Sequence, residues 1–115
     1  AICLTYTMML CGIQDIQAEW TMRTMNDKVN EVYAITQEEC AEVVQAISKV
    51  MRFGLDTTHN GRTNRDHLEE EIGDLQCMIN LLIEMGVCDM VSVLEASKRK
   101  REKLKQWSTI FGQSD

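Results

Sequence analysis

The chain has 115 residues, 44% of them hydrophobic and 26% charged, with six glycines and no proline. That leaves room for one domain with a modest core and sets no bar to long helices. The formal net charge of -6 excludes a protein that grips a nucleic-acid polymer by broad phosphate neutralisation. It does not exclude a nucleotide substrate, because bound metal ions can offset local negative charge.

Five cysteines, Cys3, Cys11, Cys40, Cys77 and Cys88, form no CxxC pair, and their number is odd. Reduced thiols in a cytoplasmic protein are expected, rather than a disulfide framework or a zinc site. Residues 1–13 are mostly apolar but lack the basic flank and small-residue cleavage site of a signal peptide. They are also shorter than the roughly 18 apolar residues a membrane span takes, so no membrane association is expected. Residues 1–24 are read as an extra apolar helix or arm that packs on the domain or on a partner subunit. Translation from Met25 is the other reading of this segment.

From Asp27 to Phe53, Val29, Val32, Tyr33, Cys40, Val43, Val44, Ile47, Val50 and Met51 recur at three- and four-residue spacing, the period of an amphipathic helix. Thr36 followed by Glu39 forms a capping-box pattern, so this run is either one long helix or two that meet near Ile35. Gly54 stops it. Residues 54–65 hold turn formers, notably Asn60-Gly61, and make the one clear loop. Asp66, three positions before Glu69, is expected to cap the next helix. That helix carries Leu68, Ile72, Leu75, Met78, Ile79, Leu82 and Met85 and ends at Gly86. Its second half is apolar all round and should be the most buried stretch. A further helix starts near Asp89 and carries Val91, Leu94, Leu104 and Trp107, and residues 109–115 form a tail. No strand alternation and no repeat is visible. The expected architecture is all-α, a bundle of four or so helices whose small core is completed by dimerisation.

Two acidic clusters fall where half-buried helix faces should be: Glu38-Glu39-Cys40-Ala41-Glu42 and Glu69-Glu70-Glu71-Ile72-Gly73-Asp74. Glu39 with Glu42, and Glu71 with Asp74, are three apart. Such pairs project together with Cβ atoms about 5–6 Å apart, and like charges so placed repel. A hard divalent cation removes the repulsion and uses the oxygens as ligands, and magnesium suits a few carboxylates plus waters and phosphate oxygens. Glutamates in a first helical turn also complement the helix dipole. That reading suits Glu69 and Glu70 better than Glu71 and Asp74, which lie beside the core positions Ile72 and Leu75.

The segments EECAEVVQAISK (38–49) and LEEEIGDL (68–75) resemble the two motifs, ExxE and ExxD, of the MazG-like all-alpha nucleoside triphosphate pyrophosphohydrolases. The resemblance runs over residues 25–108, most like the compact phage and bacterial members, and leaves residues 1–24 outside it. It implies a helical bundle that assembles as a homodimer or homotetramer. It also implies magnesium, with manganese as a substitute, held by Glu39, Glu42, Glu71 and Asp74. Glu38 and Glu42 then become the candidate bases. Lys49, Arg52, Lys98 and Arg101 become candidate contacts to the phosphates of a nucleoside triphosphate. The basic run from Lys98 to Lys105 is otherwise an ordinary solvated helix end. Trp20, Tyr33, Phe53 and Trp107 are read as core or interface residues, His59 and His67 as loop and helix-start residues, and the cysteines and methionines as core filler.

The implied reaction converts a nucleoside triphosphate to a monophosphate and pyrophosphate. Similar motifs occur in phosphoribosyl-ATP pyrophosphohydrolases and dimeric dUTP hydrolases, and a non-catalytic helical interaction module is the reading from a different class.

Overall fold

A computed structural model describes the backbone of residues 2–112 and the side chains of residues 15–112. Three helices account for most of it: α1, Ile2–Phe53; α2, Asn64–Glu84; and α3, Met90–Trp107. A two-residue hairpin, β1 Thr58–His59 and β2 Arg62–Thr63, lies between α1 and α2 and pairs antiparallel. The all-α expectation holds. Three helices stand where four or so were expected, because the N-terminal arm and the run to Phe53 are one continuous helix. Thr36 does not open a new helix there. Its hydroxyl donates back to the Val32 carbonyl at 2.6 Å, a bond made inside a helix, and no glycine or proline breaks the run.

The chain divides into two units, Ala1–Met78 and Ile79–Asp115. In the first, α1 ends where Gly54 takes φ +91° and its N–H reaches back to the Val50 carbonyl at 2.9 Å, a left-handed helix stop that glycine adopts without strain. Thr63, and not Asp66, caps α2. The Asp66 carboxylate accepts from the Thr63 N–H and hydroxyl at 2.9 and 2.7 Å, while the Asp66 N–H donates to Thr63 Oγ1 at 3.1 Å. Asp66 therefore sits at the third helical position of a reciprocal capping box. These bonds hold its carboxyl below the usual range.

In the second unit α2 ends in paired bonds, Gly86 N–H to Ile83 and Val87 N–H to Leu82 carbonyls, each at 3.0 Å, with Gly86 at positive φ. This is the Schellman arrangement. Asp89 caps α3 as expected, accepting from the Ser92 N–H at 2.9 Å. That bond holds the Asp89 carboxyl low.

The core of the single chain is small. Among the described residues only Val32, Ala46 and Met78 are buried apolar side chains. Apart from Met78, the late part of α2 is half-buried or exposed, not the sealed stretch that its all-round apolar character suggested. Trp20, Tyr33, Phe53 and Trp107 are all exposed, as are Cys40 and Cys77, so none of these fills the core of one chain. Among the described residues no helix is long and apolar enough to cross a membrane.

Candidate functional site

The first unit holds a carboxylate cluster that packing has forced together. Glu39, Glu42 and Glu71 each offer an oxygen within 4.8 Å of the others. Glu39 and Glu42 come from one face of α1, one helical turn apart, and Glu71 from the third turn of α2. Glu71 is the most enclosed, at 6% exposure, the one charged residue among the buried described positions. Glu39 is half-buried and Glu42 exposed.

Such a group of like charges is costly to assemble in a low-dielectric site. That cost raises the proton affinity of the acids. A proton shared with Glu42 pushes the Glu71 carboxyl up to about 7, with burial and the charges of Glu42, Asp74 and Glu39 adding to the effect. Burial, then the charges of Glu42, Asp74 and Glu38, raises Glu39 as well. Oε2 of Glu39 and Oε2 of Glu71 are buried with no hydrogen-bond partner. Orphaned buried carboxylate oxygens are rare because each forfeits its hydration. A hard cation among them would supply the missing partner to both, so the donor set fits a divalent metal such as magnesium.

Of the four expected ligands, the structure therefore brings three into one cluster. Asp74, exposed one turn beyond Glu71, is felt by Glu39 and Glu71 through its charge and lies at the edge. Glu38, also exposed, acts on Glu39 in the same way.

Beside the cluster lies a cavity of about 510 Å³ under the hairpin, walled by Lys49, Arg52 and Phe53 of α1, His59 and Arg62 of the hairpin, and His67 of α2 among others. Two of the four expected cations, Lys49 and Arg52, thus line one cavity. Lys98 and Arg101 do not line it. They belong to α3 in the second unit, where the Arg101 guanidinium lies 4.7 Å from the centre of the Phe111 ring.

His67 joins the two features. It lines the cavity, and its Nδ1 is 3.5 Å from Glu71 Oε1. Its position alone marks His67 as a helix-start residue, although His67 and Glu71 are four apart on one helix and so face the same way. That spacing was the available signal. The cavity itself had none, since it depends on how residues 54–63 fold back.

The hairpin is tied down at several points. Asn60 and Gly61 both take positive φ, 51° and 77°, as a two-residue type I′ turn requires. The Asn64 side chain donates to the Gly54 carbonyl at 2.8 Å. Arg65 grips Asp56 Oδ1 with two nitrogens at 3.1 and 2.8 Å. Arg62 pairs with Glu70 at 2.8 Å, and the Thr57 hydroxyl donates to the Phe53 carbonyl.

Comparison with curated proteins and with solved structures gives no significant match. The family model of the MazG nucleotide pyrophosphohydrolase domain matches residues 27–107. That span holds α1 from Asp27 onward, the hairpin, α2 and α3, and with them all three acids of the cluster, so the chain belongs to the MazG nucleotide pyrophosphohydrolase family.

Proposed function

We propose that this protein is a magnesium-dependent hydrolase that converts a nucleoside triphosphate, ribo or deoxy, to the monophosphate and pyrophosphate. Family membership supports nucleotide pyrophosphohydrolase chemistry in general. The observation that carries the finer reading is the pair of buried, partnerless oxygens on Glu39 and Glu71, which a chain without a cation has no reason to keep.

In this reading Glu39, Glu42 and Glu71 hold the metal, with Asp74 completing the set from the rim. When bound, the metal neutralises charge on the phosphate oxygens and makes water easier to deprotonate. Glu42 and Glu38, the two exposed carboxylates of the α1 motif, are placed to accept the proton of the attacking water. The water oxygen forms a bond to the α-phosphorus as the bond from that phosphorus to the bridging oxygen breaks. Pyrophosphate then leaves with its charge met by lysine or arginine side chains. Lys49 and Arg52 are the better placed of the four candidates, and Lys98 and Arg101 are retained on sequence resemblance alone.

A second copy of the chain is part of the proposal. Val44, Ile47, Met51 and Ile72 in the first unit are large, apolar and exposed in the single chain, which is the signature of a surface that a partner covers. A homodimer or homotetramer is expected, and a monomeric mass by light scattering would contradict it. A cytoplasmic setting fits the unpaired cysteines.

The test is to incubate the protein with magnesium and a panel of nucleoside triphosphates, measuring monophosphate, pyrophosphate and orthophosphate separately. Equal amounts of monophosphate and pyrophosphate, abolished by chelation, are expected. Orthophosphate release, or turnover that survives chelation, would sink the reading.

A further inference from the structure

Glu71 belongs to two groups of metal-ligating side chains. His67, Glu70 and Glu71 stand at positions i, i+3 and i+4 of α2, the neighbours that share one helix face. Each offers an atom within 4.8 Å of the others, as Glu39, Glu42 and Glu71 do across the two helices. The two groups have only Glu71 in common. That carboxylate, at 6% exposure, has Oε1 turned to the His67 imidazole and Oε2 buried without a partner.

The spacing of His67 and Glu71 argues for a shared ion. Nδ1 and Oε1 are 3.5 Å apart, whereas N–H···O hydrogen bonds run about 2.7–3.2 Å. Two atoms bound to one ion at about 2.1 Å, the usual zinc–nitrogen and zinc–oxygen length, stand about 3.4 Å apart at the tetrahedral angle. The pair is therefore spaced as two ligands of one small cation, not as donor and acceptor. Glu70 supplies the third arm. Arg62 holds its carboxylate at 2.8 Å, but both side chains are about half exposed, and such a pair contributes little to stability. A cation can draw Glu70 away at small cost, and the imidazole decides which cation. Magnesium takes oxygen ligands and keeps its waters, whereas imidazole nitrogen suits first-row transition ions. Helical bundles hold paired ions by the same means, with glutamates from facing helices and a glutamate three positions from a histidine.

We infer that His67, Glu70 and Glu71 form a second cation site, selective for a first-row transition ion, which shares Glu71 with the proposed magnesium site. The second site stands on its own three residues and requires neither the hydrolase reading nor a filled magnesium site. With both ions present Glu71 bridges them, which gives the buried carboxylate a partner on either side. The second ion borders the hairpin cavity, because His67 lines it. Glu70 leaves Arg62 as the ion binds, so occupancy releases one of the ties between α2 and the hairpin.

The test titrates cobalt(II) into the full-length protein held in excess magnesium, following visible absorption and heat together. One equivalent is expected, with the d–d bands of nitrogen and oxygen ligands. The near-ultraviolet sulfur-to-cobalt band that the exposed Cys40 or Cys77 would give should be missing. Glu39→Gln should keep this equivalent, because Glu39 belongs to the first site alone. His67→Gln should weaken cobalt about tenfold or more, since even the outer-shell partner of a ligand is worth ten- to a hundredfold, and should leave magnesium binding in place. Glu70→Gln, at an exposed position where folding is not at stake, should weaken it in the same way. Arg62→Gln should tighten cobalt by freeing Glu70. Cobalt fully displaced by magnesium, a sulfur band, or cobalt bound undiminished by the His67 and Glu70 variants would overturn the inference. A protein that binds no magnesium but keeps a His67-dependent cobalt site would remove the magnesium reading and leave this site standing.

Discussion

The carboxylate cluster and the hairpin cavity are neighbours in the same unit, built on opposite principles. Around the cavity each turn of the loop has a partner: Asn64 to Gly54, Arg65 to Asp56, Thr63 to Asp66. In the cluster three acids converge, two oxygens have no partner, and Glu71 holds its proton up to about pH 7. The satisfied region contributes to stability and shape. The unsatisfied one costs stability, a cost that the proposed divalent cation would offset on binding. The difference teaches that the two regions follow different rules: the loop is satisfied within the free chain, whereas the helix pair leaves buried oxygens without a partner, as the proposed cation site requires.

The largest expected effect breaks the comparison at its acidic end. Glu71→Gln should cut nucleotide hydrolysis by roughly a hundredfold or more, on the scale of removing a main electrostatic element of a site. Above pH 7, where Glu71 has lost its proton, it should also raise the melting temperature of the metal-free protein by a few degrees, because the mutation deletes a buried charge. A variant that is both inactive and less stable would mean that Glu71 is an ordinary structural residue.

The pH dependence sharpens the same point. The Glu71 carboxyl is raised from its ordinary 4.5 to about 7, so between those values the folded protein binds more protons than the unfolded chain. Stability linked to this group is therefore full below about pH 4.5, declines as pH rises toward 7, and is flat above that. Glu39 is shifted in the same direction. Thermal melts without metal should show this decline from pH 5 to 7, and magnesium should reverse it most strongly at the upper end. A melting temperature that instead rises over that range in the metal-free protein would contradict the assignment.

At the satisfied end the effects are smaller and purely structural. Gly54→Ala forces a side chain onto a φ of +91° and should cost about 1 kcal/mol in denaturant melts. Asn64→Ala removes the bond to the Gly54 carbonyl at a similar cost of about 1 kcal/mol. Asp56→Ala should cost less still, under about 1 kcal/mol, since the pair with Arg65 is exposed. Its clearer signature is faster amide exchange across residues 54–63.

Much of this could be read from residues alone. The spacing of Glu39, Glu42, Glu71 and Asp74 announced a converging acid pair on each of two helices, and three of those four do converge. Gly54 and Asp89 were legible as helix boundaries because their roles are local. Thr36 misled because a hydroxyl three residues before a glutamate reads as a cap, whereas its bond to the Val32 carbonyl is equally local and leaves no mark in the pattern. Asp66 misled in a related way, since Thr63 and Asp66 both suit a capping position and only the bonds decide between them. The cavity was illegible because His59 and Arg62 reach Lys49 only after the chain doubles back at Asn60-Gly61. The apolar second half of α2 spoke of burial that a single chain does not provide.

The central claim is that the Glu39–Glu42–Glu71 cluster is completed by a divalent cation. Its most direct test is magnesium titration of the wild-type protein and Glu71→Gln at pH 6.5, following heat and proton release together. The account predicts saturable binding to the wild type with release of the proton held near Glu71, and binding at least tenfold weaker, without that release, in the variant. Equal binding by both, or none by either, would contradict it.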